Sequence, residues 1–320
     1  LTEPIEVQVS QGTGQIQAPS ASQRDFKAPS QLGNKDLFVE AFVDNPEPFV
    51  GEQIVYTFRY YEAMDAMRSI FSNQPDYEPP SLTGFWAEGD IDVASFRAPV
   101  NGRLYTVTEL TQVLFPTAPG EETIEAARIV IPDGGFREDV LLDTEPVTVD
   151  VQSLPAGAPE SFTGAVGPFD IRSDVDLVRT RVDEPITLQV TLFGEGNIST
   201  AADPFWPEID GWRAFESEST VKTQIENGMV SGSHTYERLL VPTEAGNFTI
   251  PAIEYSYFDP VTSEYYTIAT DPMAMLVSPG VNNAPAMAVM AEDSLEASLT
   301  ADDVEVTALA SLKPVPDVLK

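Results

Sequence analysis

Apolar and polar positions alternate with a period of two through much of the chain. In one run Ile54, Tyr56, Phe58 and Tyr60 alternate with Val55, Thr57, Arg59 and Tyr61; in another Ile186, Leu188, Val190 and Leu192 alternate with Thr187, Gln189 and Thr191. A period of two sends successive side chains to opposite faces and predicts half-buried β-strands rather than helices. Turn residues separate the runs. Asn227-Gly228 supplies the pair that accepts positive φ at both central positions of a type I′ hairpin turn. Asp133-Gly134-Gly135, Gly194-Glu195-Gly196-Asn197 and Phe258-Asp259-Pro260 break the pattern in the same way. Strands of about six to ten residues between such turns predict an all-β protein of tandem immunoglobulin-like antiparallel β-sandwiches.

An internal repeat sets the size of the module. TEPIEVQV (2–9), TEPVTVDV (144–151) and TDPMAMLV (270–277) each place a Thr, an acid and a Pro before an alternating run, a strand whose first residue is the Pro. LFPTAPGEETI (114–124) matches LVPTEAGNFTI (240–250), and Pro116 to Pro242 is the same 126-residue step as Pro146 to Pro272. Val50-Gly51-Glu52 with Ile54 resembles Val182-Asp183-Glu184 with Ile186, and Phe85-Trp86 resembles Phe205-Trp206. The expected organisation is the closing strand of a preceding module plus a Ser/Gln/Ala/Pro-rich linker in 1–34, a first sandwich in 35–153 and a second in 154–279. An acidic, weakly ordered tail is expected in 280–320.

Composition narrows the function classes. Seventeen Lys and Arg against 51 Asp and Glu leave a net charge of −34 in 320 residues, the wrong sign for a nucleic-acid backbone or an anionic membrane surface. Only five of the basic residues are Lys, so the acidity reads first as solvation. The absence of Cys removes disulfides, thiolate metal sites and thiol catalysis. No run of apolar residues is long enough for a spanning helix. With no initiator Met and no signal-like segment at Leu1, the chain reads as a piece of something longer.

The stretch LPAGAPESFTGAVGPFDI (154–171) resembles the entry of the second sandwich in BatD proteins, the oxygen-tolerance family of Bacteroides-type aerotolerance operons. The similarity continues through EPITLQVTLFGEGNIST (184–200), PFWPEIDGWRAFE (204–216) and YSYFDPVTSEYYTIATDP (255–272). It covers about 154–277, with 37–151 as a looser preceding module. The resemblance implies an exported envelope protein, extracytoplasmic in bacteria and anchored by a transmembrane helix not present in this chain. It also implies partners among von Willebrand A-domain Bat proteins and, indirectly, a MoxR-type ATPase system. It brings no catalytic residues.

The residues themselves offer little chemistry. His234 is the one histidine, so a catalytic triad or His-ligated zinc would have to be built on it, and a lone strand histidine is more often a packing residue. Asp170, Asp174 and Asp176 have the hard oxygen ligands that calcium prefers, but lack the Gly and distal Glu of an EF-hand and read as a solvated edge. Asn197-Ile198-Ser199 and Asn247-Phe248-Thr249 match sequons and read as turns. Gly164 and Gly167 read as backbone-geometry residues. No catalytic residue, cofactor or metal is expected.

Aromatic residues are the better candidates. If alternate side chains face outward, Tyr61, Tyr257, Phe258, Tyr265 and Tyr266 present an interaction surface, against the plainer reading as cross-strand pairs. The expectation is a non-enzymatic extracytoplasmic scaffold that binds other envelope proteins. The alternative is a surface glycan-binding or adhesive module using Trp86, Trp206 or Trp212.

Overall fold

The computed structural model describes residues 35–65, 74–132 and 138–280. The strand expected at 2–9, the linker to 34, the turn at Asp133-Gly134-Gly135 and the tail beyond 280 lie outside them. The first sandwich is built from β1 (Leu37–Val43), β2 (Ile54–Ala63), β3 (Asp76–Glu78), β4 (Phe85–Val100), β5 (Arg103–Pro116), β6 (Gly120–Ile124), β7 (Arg128–Ile131), β8 (Val140–Asp143) and β9 (Val147–Val151). The second is built from β10 (Phe162–Val166), β11 (Phe169–Val175), β12 (Arg179–Arg181), β13 (Ile186–Glu195), β14 (Trp212–Glu226), β15 (Met229–Pro242), β16 (Gly246–Ile250), β17 (Glu254–Asp259), β18 (Glu264–Ala269) and β19 (Met273–Ser278).

The sheet order β1-β2-β5-β4 is repeated as β11-β13-β15-β14. Across the first core stand the β6-β9 pair and β3-β7-β8; across the second stand β12-β19-β16 and β10-β17-β18. Among the described strands the pairing is antiparallel except for β10 with β17 and β12 with β19, where short edge strands run parallel, and an isolated parallel bridge joins Phe49 to Gln152. Ile54, Tyr56, Phe58 and Tyr60 point into the first core, and Ile186, Leu188, Val190 and Leu192 into the second, as the alternation predicts. The hairpins β4–β5 and β14–β15 have arms of 14 to 16 residues, longer than expected. Each long edge strand carries a bulge, between Glu88 and Asp92 and between Glu216 and Ser219. The expected Asn227-Gly228 turn has φ of 53° and 77°, and Asn101-Gly102, an Asn-Gly pair the periodicity reading passed over, turns β4 into β5 with 49° and 82°.

The repeated motifs make the same hydrogen bonds in both sandwiches. Thr144 accepts the Ala127 N–H at its Oγ1 (3.0 Å), and Thr270 does the same for Ile253 (3.0 Å). Thr117 and Thr243 each donate backbone N–H and hydroxyl to one glycine carbonyl, Gly84 and Gly211. Gly51 N–H donates to the Pro116 carbonyl, and Asp183 N–H to that of Pro242. These bonds correct one alignment. Phe85 lies opposite Pro116 and Trp212 opposite Pro242, so Gly84-Phe85 corresponds to Gly211-Trp212 and not to any part of Phe205-Trp206.

Both sandwiches fall within a single compact unit, and their junction is specific. Val113 and Phe115, on the side of β5 opposite its inward Leu114, join the hydrophobic core of the second sandwich. Gln53 Nε2 donates to the Gly228 carbonyl (2.7 Å) while its Oε1 accepts the Val230 N–H (2.8 Å). Glu88 Oε1 accepts the hydroxyls of Ser199 (2.7 Å) and Thr223 (3.1 Å). The Gly-x-Gly-Asn corner sits in the middle of this contact. Asn197 Oδ1 accepts the Val166 N–H (2.8 Å) and its Nδ2 donates to the Gly164 carbonyl (3.0 Å). A Cβ at Gly167 or Gly196 would stand 2.2 Å from a backbone oxygen of the facing segment, so two chains cross where only glycine fits.

Candidate functional site

The five aromatic candidates divide. Tyr61 is fully buried: it stacks on Phe38 (4.3 Å between ring centroids), meets Tyr105 edge-on and donates its hydroxyl to Glu40 (2.5 Å). Its face of β2 was expected to be open. It is a second apolar cluster instead, continued by Arg59, which pairs with Glu109 at 2.7 Å and Glu40 at 3.6 Å and lies over the Phe42 ring. Phe258 is fully buried as well, edge-on to Phe49 of the first sandwich. Tyr265, beside it, packs on Phe162 and donates to the Pro155 carbonyl (2.8 Å), so the chain segment entering the second sandwich covers the outward face of β17–β18. Tyr61 and Phe258 are therefore core residues, because those outer faces are packed rather than solvated. Tyr257 and Tyr266 stack on each other at the β18 edge (5.6 Å), and Tyr266 is the most exposed of the five.

His234 is buried on β15, its ring stacked on Tyr236. Tyr236 Oη donates its one proton toward the Ala201 carbonyl (2.7 Å), which assigns the proton between the two rings (2.9 Å) to His234 Nδ1. Burial lowers the pKa of the imidazole below its usual value, against the opposing charge of Asp203. Asp170 and Asp174 cap the N–H of the next residue, and Asp176 accepts the Thr187 N–H (2.9 Å). Among the described residues no group of three or more His, Asp or Glu is arranged to hold a metal. Nor is any helix there long and apolar enough to cross a membrane.

The tryptophans occupy two places. Trp86, half exposed on β4, donates its Nε1–H to Glu88 (3.0 Å) beside the junction. Trp206 and Trp212 line a cleft of about 570 Å³ that reaches the buried side chains Leu188, Leu240, Ile250 and Ile253. The Arg238 guanidinium lies 4.6 Å from the Trp206 ring centroid, and Trp212 meets Phe248 edge-on. Glu208 and Asp210 line the same cleft and are exposed to solvent. The loop that builds the wall, 202–211, runs through the motif PFWPEIDGW, in which Pro204 and Pro207 limit the backbone and Gly211 takes a positive φ of 78°.

Residues 173–277 match the family model described as BatD DUF11 like domain, about a third of the chain. No curated protein matches the chain. Among solved structures it is similar to the Yersinia pseudotuberculosis adhesin InvE, at 13% identity over 80% of this chain and 63% of that one, with a TM-score of 0.23. It is also similar to the C-terminal domain of the Streptococcus agalactiae AgI/II polypeptide BspA, at 9% identity over 75% of this chain and 99% of that one, with a TM-score of 0.18. A third is Yersinia pseudotuberculosis InvD, at 12% identity over 76% of this chain and 58% of that one, with a TM-score of 0.21. The chain thus spans less than two thirds of InvE and of InvD. The resemblance read from 154–277 is matched by the family model over 173–277, so most of the second sandwich is similar to the BatD DUF11 like domain.

Proposed function

We propose that the protein is a non-enzymatic, extracytoplasmic interaction component of a BatD-like envelope system, binding other envelope proteins through the surface of its second sandwich. The BatD domain match over 173–277 carries this reading. The chemistry of the described residues agrees with it: the one histidine is spent on a packed tyrosine contact, and the acids whose spacing suggested calcium cap local backbone. The junction holds two modules in one body, which suits a scaffold that must present a surface in a set orientation. Partners of the von Willebrand A-domain Bat type, and through them a MoxR-type ATPase, are the proposed neighbours, with the role in aerotolerance part of the same proposal.

In-cell crosslinking of the full-length protein, followed by affinity capture and mass spectrometry against an anchor-only control, tests it. Specific recovery of von Willebrand A-domain or ATPase-complex proteins is the expected result. Recovery of polysaccharide alone would replace this reading with the glycan-binding one, for which half-exposed Trp86 is the available platform.

A further inference from the structure

The two sandwiches share a register, so the same site can be compared in each. The bonds from Thr117 and Thr243 to Gly84 and Gly211 make Phe85 the counterpart of Trp212. Ile54 lies opposite Leu114, and Ile186 opposite Leu240, which makes Tyr56 the counterpart of Leu188. Both occupy the inward face of the second strand of their sheet, and both are buried. In the first sandwich a tyrosine ring fills this part of the core, under Tyr77 of β3. In the second the residue is a leucine, smaller by most of a ring, and the cleft bounded by Trp206, Trp212 and Arg238 opens over it.

We propose that this cleft is the docking site for a partner polypeptide, taking one leucine-like side chain flanked by Lys or Arg; the assignment rests on the interaction reading above and names its site. Size and lining fit an anchored side chain together with the peptide backbone and flanking residues that carry it. The volume of about 570 Å³ lies in the range of ligand pockets, and its apolar wall is the partly buried Trp206, Ile209 and Trp212, backed by the buried Leu188, Leu240, Ile250 and Ile253. Charge decides the flanks. Glu208 and Asp210 line the cleft, and Glu244 stands beside Gly211, whereas Arg238, the one cation among the described lining residues, lies against the Trp206 ring. With a molecular charge of −34 around that acidic opening, a basic peptide is drawn in and an acidic one repelled.

The three tryptophans give three indole N–H signals in a nitrogen–proton correlation spectrum of the 320-residue protein, with Trp86, outside the cleft, as the internal reference. Titration with acetyl-Lys-Leu-Lys-amide is expected to move the Trp206 and Trp212 signals and leave Trp86 in place. Acetyl-Glu-Leu-Glu-amide is expected to move neither. Leu188→Tyr installs the side chain of the first sandwich and abolishes the response. The Glu208→Gln, Asp210→Asn double variant, which leaves the core untouched, weakens binding about tenfold and decides the matter if Leu188→Tyr does not fold. Silence of both cleft indoles, equal response to the two peptides, or response to chitohexaose alone would overturn the assignment. Envelope partners still crosslinked by Leu188→Tyr would place docking elsewhere on the protein and leave the interaction reading standing.

Discussion

Gly51 and Asp183 hold the same place in the repeat, donate the same bond and share a left-handed backbone, with φ of 77° and 65°. They differ because of their surroundings. A Cβ at Gly51 would stand 3.1 Å from Val166 Cγ2 and 3.2 Å from Asn197 Nδ2, both in the second sandwich. Asp183 is exposed enough to reach Arg213 (3.2 Å). Gly51→Ala should therefore cost about 1–2 kcal/mol in denaturant unfolding, strain and crowding together, while Asp183→Gly changes stability by less than about 0.5 kcal/mol. His234 gives a second prediction. Its pKa is lowered by burial, so below about pH 6.5 the unfolded chain binds the extra proton first. Its contribution to stability is complete above that value and is lost as pH falls toward the lowered folded pKa. Stability should fall between about pH 7 and pH 5, before most carboxylates titrate, and His234→Phe should flatten that slope in pH-dependent denaturant titrations. The sequence showed that any histidine chemistry had to be His234 but could not show its Tyr236 partner's bond to Ala201, which closes through a loop distant in sequence.

At the scale of elements, repeats and turns were legible because they are local. The Asn-Gly turn and the recurring Thr each act on atoms within a hairpin or the adjoining strand, so their residue types suffice to predict them. The exposure of a sheet face was not legible. Alternation assigns Tyr61 and Phe258 to outer faces, but only the three-dimensional path shows that the outer face of β2 carries a second cluster and that the chain entering the second sandwich lies over β17. The same limit separates the two sequons. Asn197 is buried with both side-chain amide atoms bonded to the backbone of β10, whereas Asn247 is exposed on β16. Asn197→Ala should cost about 1–3 kcal/mol, chiefly by leaving the buried Val166 N–H without its acceptor, and Asn247→Ala should cost almost nothing; thermal melts of the two variants check this contrast.

For the molecule as a whole, the continuity of the second core with Val113 and Phe115 of the first sandwich ties the two modules together. Calorimetry should show one unfolding transition, and Phe115→Ala, cutting a 4% exposed ring from the shared core, should separate it into two while costing about 3–5 kcal/mol. Charge acts on the same scale and in two directions. Fifty-one acids against 17 basic residues repel one another in the compact state, so screening stabilises the fold. The same field speeds the approach of a basic partner, so screening slows association. Raising ionic strength from about 0.01 M to about 0.15 M shortens the Debye length from about 30 Å to about 8 Å. The melting temperature should rise over that range while the association rate of a basic partner falls. A melting temperature that drops with added salt would mean that attractive pairs such as Arg59–Glu109 and Arg128–Asp143 outweigh the net repulsion. An association rate indifferent to salt would mean that the partner meets an apolar surface without help from the acidic field, and the charged flanks assigned to the cleft ligand would lose their physical basis.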